Sequence, residues 1–190
     1  EKTERGYVFN EYISGEVNVG NGLSFSVKGN GMKDGYAEIT LRTDRPREFE
    51  LVLRIPNWSN DAKITVNGEE TTASCGYNAI VREWKDGDKI AVSLNPRLTE
   101  IRLNGKTAYM YGGYVLSRDE RKENAVITDK FTPEEKGDEF VFEKDPAREY
   151  ESVRLVLKTR EGRVLLTDYA SCGKHWLEEK SRISVWLNAN

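Results

Sequence analysis

The chain has 190 residues, 29 basic against 32 acidic, a net charge of −3 and 37% hydrophobic residues. The charges are mixed along the sequence with no basic stripe, so nucleic acid is not an expected partner. No apolar run approaches the ~18 residues of a membrane-spanning helix, so no membrane partner is expected either. This length holds one large or two small domains. No signal-peptide pattern is visible, and a start at Glu1 rather than Met reads as a fragment or a processed product. The two cysteines, Cys75 and Cys172, are too few for a disulfide framework or a four-cysteine zinc site. Whether they are free or paired is left open, and they do not fix a compartment.

In chain order, Glu1 to Asn10 reads as a lead-in. Tyr12 to Val19 and Leu23 to Val27 are strands around Gly20-Asn21-Gly22, the second with Leu23, Phe25 and Val27 on one face. Asn30-Gly31 and Asp34-Gly35 mark turns before Tyr36 to Thr43, where Ala37, Ile39 and Leu41 alternate with polar residues. Phe49, Leu51, Leu53 and Ile55 form the inward face of a central strand that Pro56 ends, because proline has no N–H to give the ladder. Ala62 to Val66 runs into Asn67-Gly68, a strong hairpin signal because both residues accept a positive φ. Asn78 to Trp84 and Lys89 to Leu94 flank Asp86-Gly87, which reads as a second hairpin.

Further on, Arg97 to Leu103 and Lys106 to Ser117 read as a hairpin about Asn104-Gly105. Arg118 to Asn124 is charged and reads as a helical turn or loop, and Asp129 to Asp138 as a loop turned by Lys136-Gly137-Asp138. Glu149 to Thr159 is a strand with Val153, Leu155 and Leu157 inward, and Glu161-Gly162 turns it into Arg163 to Tyr169. Ala170 to Lys180 is irregular, and Arg182 to Leu187 is a last strand with Ile183, Val185 and Leu187 on one face. Short strands, Gly-rich turns and no long helical pattern predict an all-β chain of two antiparallel β-sandwiches, jelly-roll or immunoglobulin-like, rather than βαβ units.

Catalytic constellations are scarce. A Ser/His/Asp arrangement would need the only histidine, His175, and no G-x-S-x-G elbow is present. His175 reads as a loop histidine beside Trp176. The 32 acidic residues nominate no carboxylate pair with the separation that glycoside hydrolysis needs. Asp86 and Asp88 read as an acidic turn, since the other oxygen ligands of a calcium loop are missing. Gly20-Asn21-Gly22 lacks the strand–helix context of a phosphate loop. No catalytic residue, cofactor or metal ligand is therefore nominated.

The four tryptophans and nine tyrosines carry more information. Trp58 follows Pro56 on a loop beyond a strand end, where binding residues are often placed. Tyr111 and Tyr114 flank Gly112-Gly113, which leaves room for close approach. Trp186 alternates outward from Ile183, Val185 and Leu187 and so faces solvent or another domain. Trp58, Tyr111, Tyr114 and Trp186 are the candidate contacts to a sugar or to a domain interface. Packing against its own sandwich or a neighbouring domain is the plainer role for Trp58, and Trp84 reads as a core plug.

Leu53-Arg54-Ile55-Pro56-Asn57-Trp58, Val66-Asn67-Gly68-Glu69 and Arg82-Glu83-Trp84-Lys85-Asp86-Gly87-Asp88 follow one another in an order that resembles glycoside hydrolase family 127. The resemblance is to the β-sandwich behind the catalytic barrel of these β-L-arabinofuranosidases and their relatives. Ala108 to Asp119 is similar to the strand that opens the family's next region, so the resemblance covers Met32 to Asp119. It implies an accessory region and no active site. The family's zinc-held cysteine nucleophile and glutamate acid/base belong to the barrel, and none of these positions maps onto Cys75, Cys172 or any other residue here. The implied layout is a first sandwich over 1–98 and a second over 99–180, with a strand over 181–190 that returns to the first, simple tandem domains being the alternative. The implied partners are the preceding barrel of the parent chain, a second copy in a homodimer, and a carbohydrate. A periplasmic or extracellular parent fits such a family. An independent carbohydrate-binding module is the alternative function.

Overall fold

The structure is a computed structural model that describes residues 1–59, 61–122, 126–146, 151–172 and 182–190. Strands account for 60% of it and helix for 4%, so the chain is all-β as the alternation predicts. It divides into two compact units, Glu1–Pro96 and Arg97–Asn190.

The first unit contains β1 (Gly6–Phe9), β2 (Ile13–Gly20), β3 (Leu23–Asn30), the single-turn helix α1 (Gly31–Asp34), β4 (Tyr36–Thr43), β5 (Arg47–Ile55), β6 (Lys63–Val66), β7 (Glu69–Thr72), β8 (Gly76–Trp84) and β9 (Lys89–Ser93). A six-stranded sheet in the order β2-β3-β4-β9-β6-β7 faces a three-stranded sheet, β1-β5-β8. The alternating residues named from sequence fill the space between them. Phe25, Ala37, Ile39, Leu41, Leu51, Leu53, Ile90, Val92 and Trp84 all lie at or below 2% exposure. The buried Trp84 indole donates from Nε1 to the Phe49 carbonyl at 3.0 Å, which removes the cost of an orphan donor. Asn67 and Gly68 both have positive φ, 51° and 89°, as the hairpin between β6 and β7 requires.

Three expectations are corrected here. Glu1 to Asn10 is not a mere lead-in, because β1 pairs in parallel with β5 and packs its rings inward. Tyr7 and Phe9 each meet Phe25 edge-on at 5.3 Å. Gly6 permits that pairing, since a Cβ there would stand 1.9 Å from the Glu50 carbonyl oxygen. Asp86-Gly87 does not close a hairpin either, because β8 pairs with β5 while β9 pairs with β4 and β6. The turn instead carries the chain from one sheet to the other. Leu41 holds it, accepting from the Gly87 amide at 2.9 Å and donating to the Asp88 carbonyl at 2.8 Å. Asn30-Gly31 and Asp34-Gly35 prove to be the two ends of α1, with Asn30 as its N-cap and Gly35 in the left-handed conformation after it.

The second unit contains β10 (Leu98–Leu103), β11 (Lys106–Tyr111), β12 (Tyr114–Asp119), β13 (Glu135–Lys136), β14 (Glu139–Phe140), β15 (Phe142–Lys144), β16 (Arg154–Thr159), β17 (Gly162–Asp168), a 3-10 turn over Tyr169–Ser171, and β18 (Ile183–Ser184). Its main sheet runs β10-β11-β12-β17-β16-β15, with β18 paired to β12, and β13-β14 forms a separate hairpin. Leu155, Leu157, Leu166, Leu116 and Tyr109 are among its most buried residues, at 0 to 1% exposure.

Three further readings change in this unit. Lys106 to Ser117 is not one strand: the chain reverses at Gly112-Gly113, so that Tyr111 pairs with Tyr114. Arg118 and Asp119, expected in a turn or loop, end β12 and are buried. The final segment does not return to the first sandwich. Ile183 and Ser184 pair with Asp119 and Arg118, Leu187 pairs with Thr107, and the Leu187 side chain joins the second core at 1% exposure. Of the apolar face read from Ile183, Val185 and Leu187, Leu187 is buried in this unit's core while Ile183 and Val185 are half-buried.

Candidate functional site

The chain after Ile55 must leave its strand at Pro56, and Trp58 follows in a tight turn closed by the Ser59 amide donating to the Pro56 carbonyl at 3.0 Å. The buried Ser59 hydroxyl donates to the Leu94 carbonyl and ties this turn to the end of β9. Trp58 is held half-buried against the first core. Its ring packs on its own sandwich, the plainer of the two roles read from sequence.

The other aromatic candidates lie in the second unit. Tyr111 is 3% exposed, with Phe142 edge-on at 5.9 Å and the Lys144 ammonium 5.0 Å from its ring centroid. These neighbours occupy its ring, so Tyr111 is a core residue and not a stacking platform. The expectation failed because the Gly112-Gly113 reversal turns Tyr111 into the sheet interior. Tyr114, its register partner, is half-buried against the same core. Trp186 is 43% exposed, as the outward alternation predicts. The structure therefore joins Tyr111 and Tyr114 across one turn but leaves Trp186 as the open aromatic surface of the four.

Sequence reading missed a buried ionic network in the second unit. Lys122 donates from Nζ to Glu151 at 2.5 Å and to the Thr167 hydroxyl at 3.2 Å, with both ionic side chains almost fully enclosed. Arg154 joins Glu151 to Asp145, and Asp119 binds Arg121 through two carboxylate oxygens. Asp168 accepts from the Ser152, Val153 and Ser171 amides at 2.8 to 3.1 Å, and from the Ser171 hydroxyl. Enclosed charges of this kind persist when paired and hydrogen-bonded. The sequence signal was faint: Leu116 to Asp119 is buried on both strand faces, so alternation could not mark Asp119 as inward.

Cys172 sits at the edge of this network, 2.9 Å from the Ser117 hydroxyl. Burial raises the Cys172 thiol pKa, against lowering by Ser117 and Lys122, so the thiol holds its proton. Cys75 is an exposed free thiol in the first unit. Among the described residues no group of three or more His, Cys, Asp or Glu is placed to hold a metal ion. His175 and Trp176 lie outside the described residues.

Two stretches of open apolar surface stand out among the described residues of the first unit. On the outward face of the three-stranded sheet, Val8, Val52 and Ala79 form one cross-strand row, beside Tyr77 and Val81 at 63% exposure each. A groove of about 430 Å³ lies along β1 and β2, lined by Phe9, Ile13, Val17, Val19, Phe25 and Val27 among others.

Residues 7–96 match the family model described as the middle domain of GH127 beta-L-arabinofuranosidase. This stretch is similar to a GH127 middle domain. It spans nearly the whole of the first unit, including Tyr7 to Phe9 of the parallel strand β1, which the sequence pattern did not mark as a strand. No curated protein matches the chain. Among solved structures, a GH127 beta-L-arabinofuranosidase from Geobacillus stearothermophilus T6 superposes with a TM-score of 0.77 at 18% identity, over 96% of this chain and 33% of that one. A GH127 beta-arabinofuranosidase gives 0.70 at 16% identity, and a protein described as a glycoside hydrolase gives 0.65 at 18%. Each of these two matches covers 88% of this chain and 32% of the other. At such identities the likeness shows the fold alone. The chain spans about a third of the length of these solved structures.

Proposed function

We propose that this chain is a non-catalytic accessory β-sandwich region of a glycoside hydrolase of the β-L-arabinofuranosidase type, which buttresses a catalytic barrel and contributes to dimerisation. The match of residues 7–96 to a GH127 middle domain carries this reading. The surface chemistry supports it: Tyr77 and Val81 on the outer sheet face, and Ile13 and Val17 in the groove, are apolar groups whose exposure costs free energy that a neighbour would recover. Trp186, on the second unit, offers similar cover for a partner. The chemistry of the parent belongs to the barrel in this reading, and the present residues supply shape and stability.

Two experiments test it. Co-expression of the parent's barrel with this chain is expected to give a co-purifying complex whose barrel resists heat better than the barrel alone. A barrel that neither binds the chain nor gains stability overturns the buttressing role. Light scattering after size exclusion tests dimerisation, and a strict monomer at high concentration overturns that part. The competing function is an independent carbohydrate-binding module, favoured by the exposed Trp186 ring. It requires sugar affinity in the isolated chain.

A further inference from the structure

Four Asn-Gly pairs sit at turns of this chain: Asn21-Gly22, Asn30-Gly31, Asn67-Gly68 and Asn104-Gly105. Asparagine before glycine is prone to deamidate itself, because glycine has no side chain to shield its amide nitrogen from the neighbouring carboxamide. In sequence the four pairs are equivalent. The structure separates them.

At Asn30 both reacting groups are occupied. The carboxamide oxygen accepts from the Met32 and Lys33 amides at 3.1 Å each, and the Gly31 amide donates to the Tyr12 carbonyl at 2.9 Å. Gly31 is also buried, pressed against Tyr12 and Leu94. At Asn67 the carboxamide is held at both ends, donating to Asp88 and accepting from the Lys89 amide, each at 2.8 Å. At Asn21 the turn is pinned instead. Arg47 donates to the Asn21 carbonyl, and the Asp44 amide donates to the Gly22 carbonyl at 3.1 Å. The Asp44 carboxylate lies against Gly22, where a Cβ would stand 2.5 Å from its oxygen. A negative charge there opposes loss of the Gly22 amide proton.

Among the described residues, Asn104-Gly105 has none of these restraints. It closes the β10–β11 hairpin with φ of 49° and 72°. Both residues are exposed, the Asn104 carboxamide has no partner among the described residues, and nothing lies within 4 Å of the place a Gly105 Cβ would take. The strand beside it is open as well. β10 ends its sheet, and Ile101 and Leu103 are 49% and 56% exposed. Opening the tip therefore breaks few contacts, which places it at the low end of local stability.

We propose that Asn104 is a site of spontaneous backbone modification, which deamidates through a succinimide faster than the other three pairs. The Gly105 amide nitrogen bonds to Asn104 Cγ as the Cγ–Nδ2 bond breaks, and the amide proton leaves with Nδ2 as ammonia. Water then opens the ring at Cγ to leave aspartate, or at the Asn104 main-chain carbonyl to leave isoaspartate, whose backbone runs through Cβ and Cγ. Ring closure takes the Asn104-Gly105 peptide out of the closed turn, so the rate follows the open fraction of the tip. The isoaspartate product lengthens a tight turn and adds a negative charge. It breaks the pairing of Leu103 with Lys106 and leaves Ile101 and Leu103 on a frayed apolar edge.

The test ages the 190-residue chain at mildly alkaline pH, once folded and once in denaturant. Peptide mapping by mass spectrometry reads deamidation and isoaspartate at each pair. In the folded chain the proposal expects conversion at Asn104 about tenfold faster than at Asn30 or Asn67, with Asn21 between, because the rate scales with local opening. In denaturant the four rates are expected to draw together. Folded-state conversion at Asn21, Asn30 or Asn67 as fast as at Asn104 overturns the proposal. The same spread of rates in denaturant as in the folded chain also overturns it, because local sequence and not the fold then sets the order.

Discussion

The first unit encloses sixteen core residues, all hydrophobic, while eleven in the second share their unit's interior with Arg118, Asp119, Glu151 and Asp168. The buried polar groups described in the first unit are few. Ser59 and Asp88 sit at turns, where Asp88 accepts from the Lys85 amide and the Asn67 side chain. The two units therefore stand on different physics. Apolar burial tolerates an error of shape by relaxing around it, at a cost set by the cavity left. A buried ion pair tolerates the loss of neither partner alone, because the survivor is left charged in a poor dielectric. The difference teaches where each unit is fragile.

The sharpest way to break the comparison is to cut each interior at its most enclosed group. Trp84→Ala removes a fully buried indole and its bond to Phe49, and is expected to cost about 3–5 kcal/mol, read from denaturant midpoints with tryptophan fluorescence replaced by amide exchange in β5 and β8. Glu151→Ala removes the buried carboxylate that Lys122 and Arg154 share and is expected to cost a similar ~3–5 kcal/mol, read at β16 and β17. The double variant Lys122→Met/Glu151→Leu sharpens the contrast. It is expected to recover most of that loss, as apolar replacement of both partners often does. A double variant as unstable as Glu151→Ala contradicts the ion-pair account of the second interior.

Asp168→Asn comes next. It keeps the shape but exchanges a carboxylate that accepts from three amides for a neutral amide group with one oxygen, and about 1–3 kcal/mol is expected from the weakened and unsatisfied bonds. The smallest effect is in pH. In the second unit, Glu120 is held below the ordinary carboxylate range by its bond from Arg182, Glu143 by Lys158, and Glu161 by the Thr132 amide. In the first, Arg47 does the same for Asp44. A folded pKa below the unfolded one contributes stability above the unfolded value, near pH 4. That contribution is lost as pH falls through the folded value. Acidification from pH 5 to 3 is therefore expected to weaken the second unit slightly more than the first. The difference should shrink in high salt because these groups are exposed to solvent. Amide exchange in each unit at both salt levels measures it.

The apolar side of this contrast was readable in the sequence, the ionic side was not, and the limits are physical. Alternation at Ala37-Ile39-Leu41 and Leu51-Leu53-Ile55 fixes an inward face because each strand has one wet side. Asn67-Gly68 and Asn104-Gly105 were legible because few dipeptides accept two positive φ values. Strand partners were less so. Nothing in Gly6-Tyr7-Val8-Phe9 announces a parallel mate, and nothing local to Asp86-Gly87 says that the chain changes sheets there. Of the candidate contacts, Trp186 kept the exposure that alternation gave it, while Tyr111 went inward because an unrecognised reversal reset the pattern. The β2 groove was legible only in part. Val17 and Val19 read as strand residues, but whether an inward face finds a partner depends on the width of the opposite sheet.

The most direct test of the accessory, non-catalytic reading is saturation-transfer NMR of this chain with a panel of arabinofuranosides and related pentose oligosaccharides. The account predicts no transfer to any of them, with sugar recognition left to the parent's barrel. Clear transfer to one sugar, abolished by Trp58→Ala or Trp186→Ala, would contradict it and make the chain a carbohydrate-binding module in its own right.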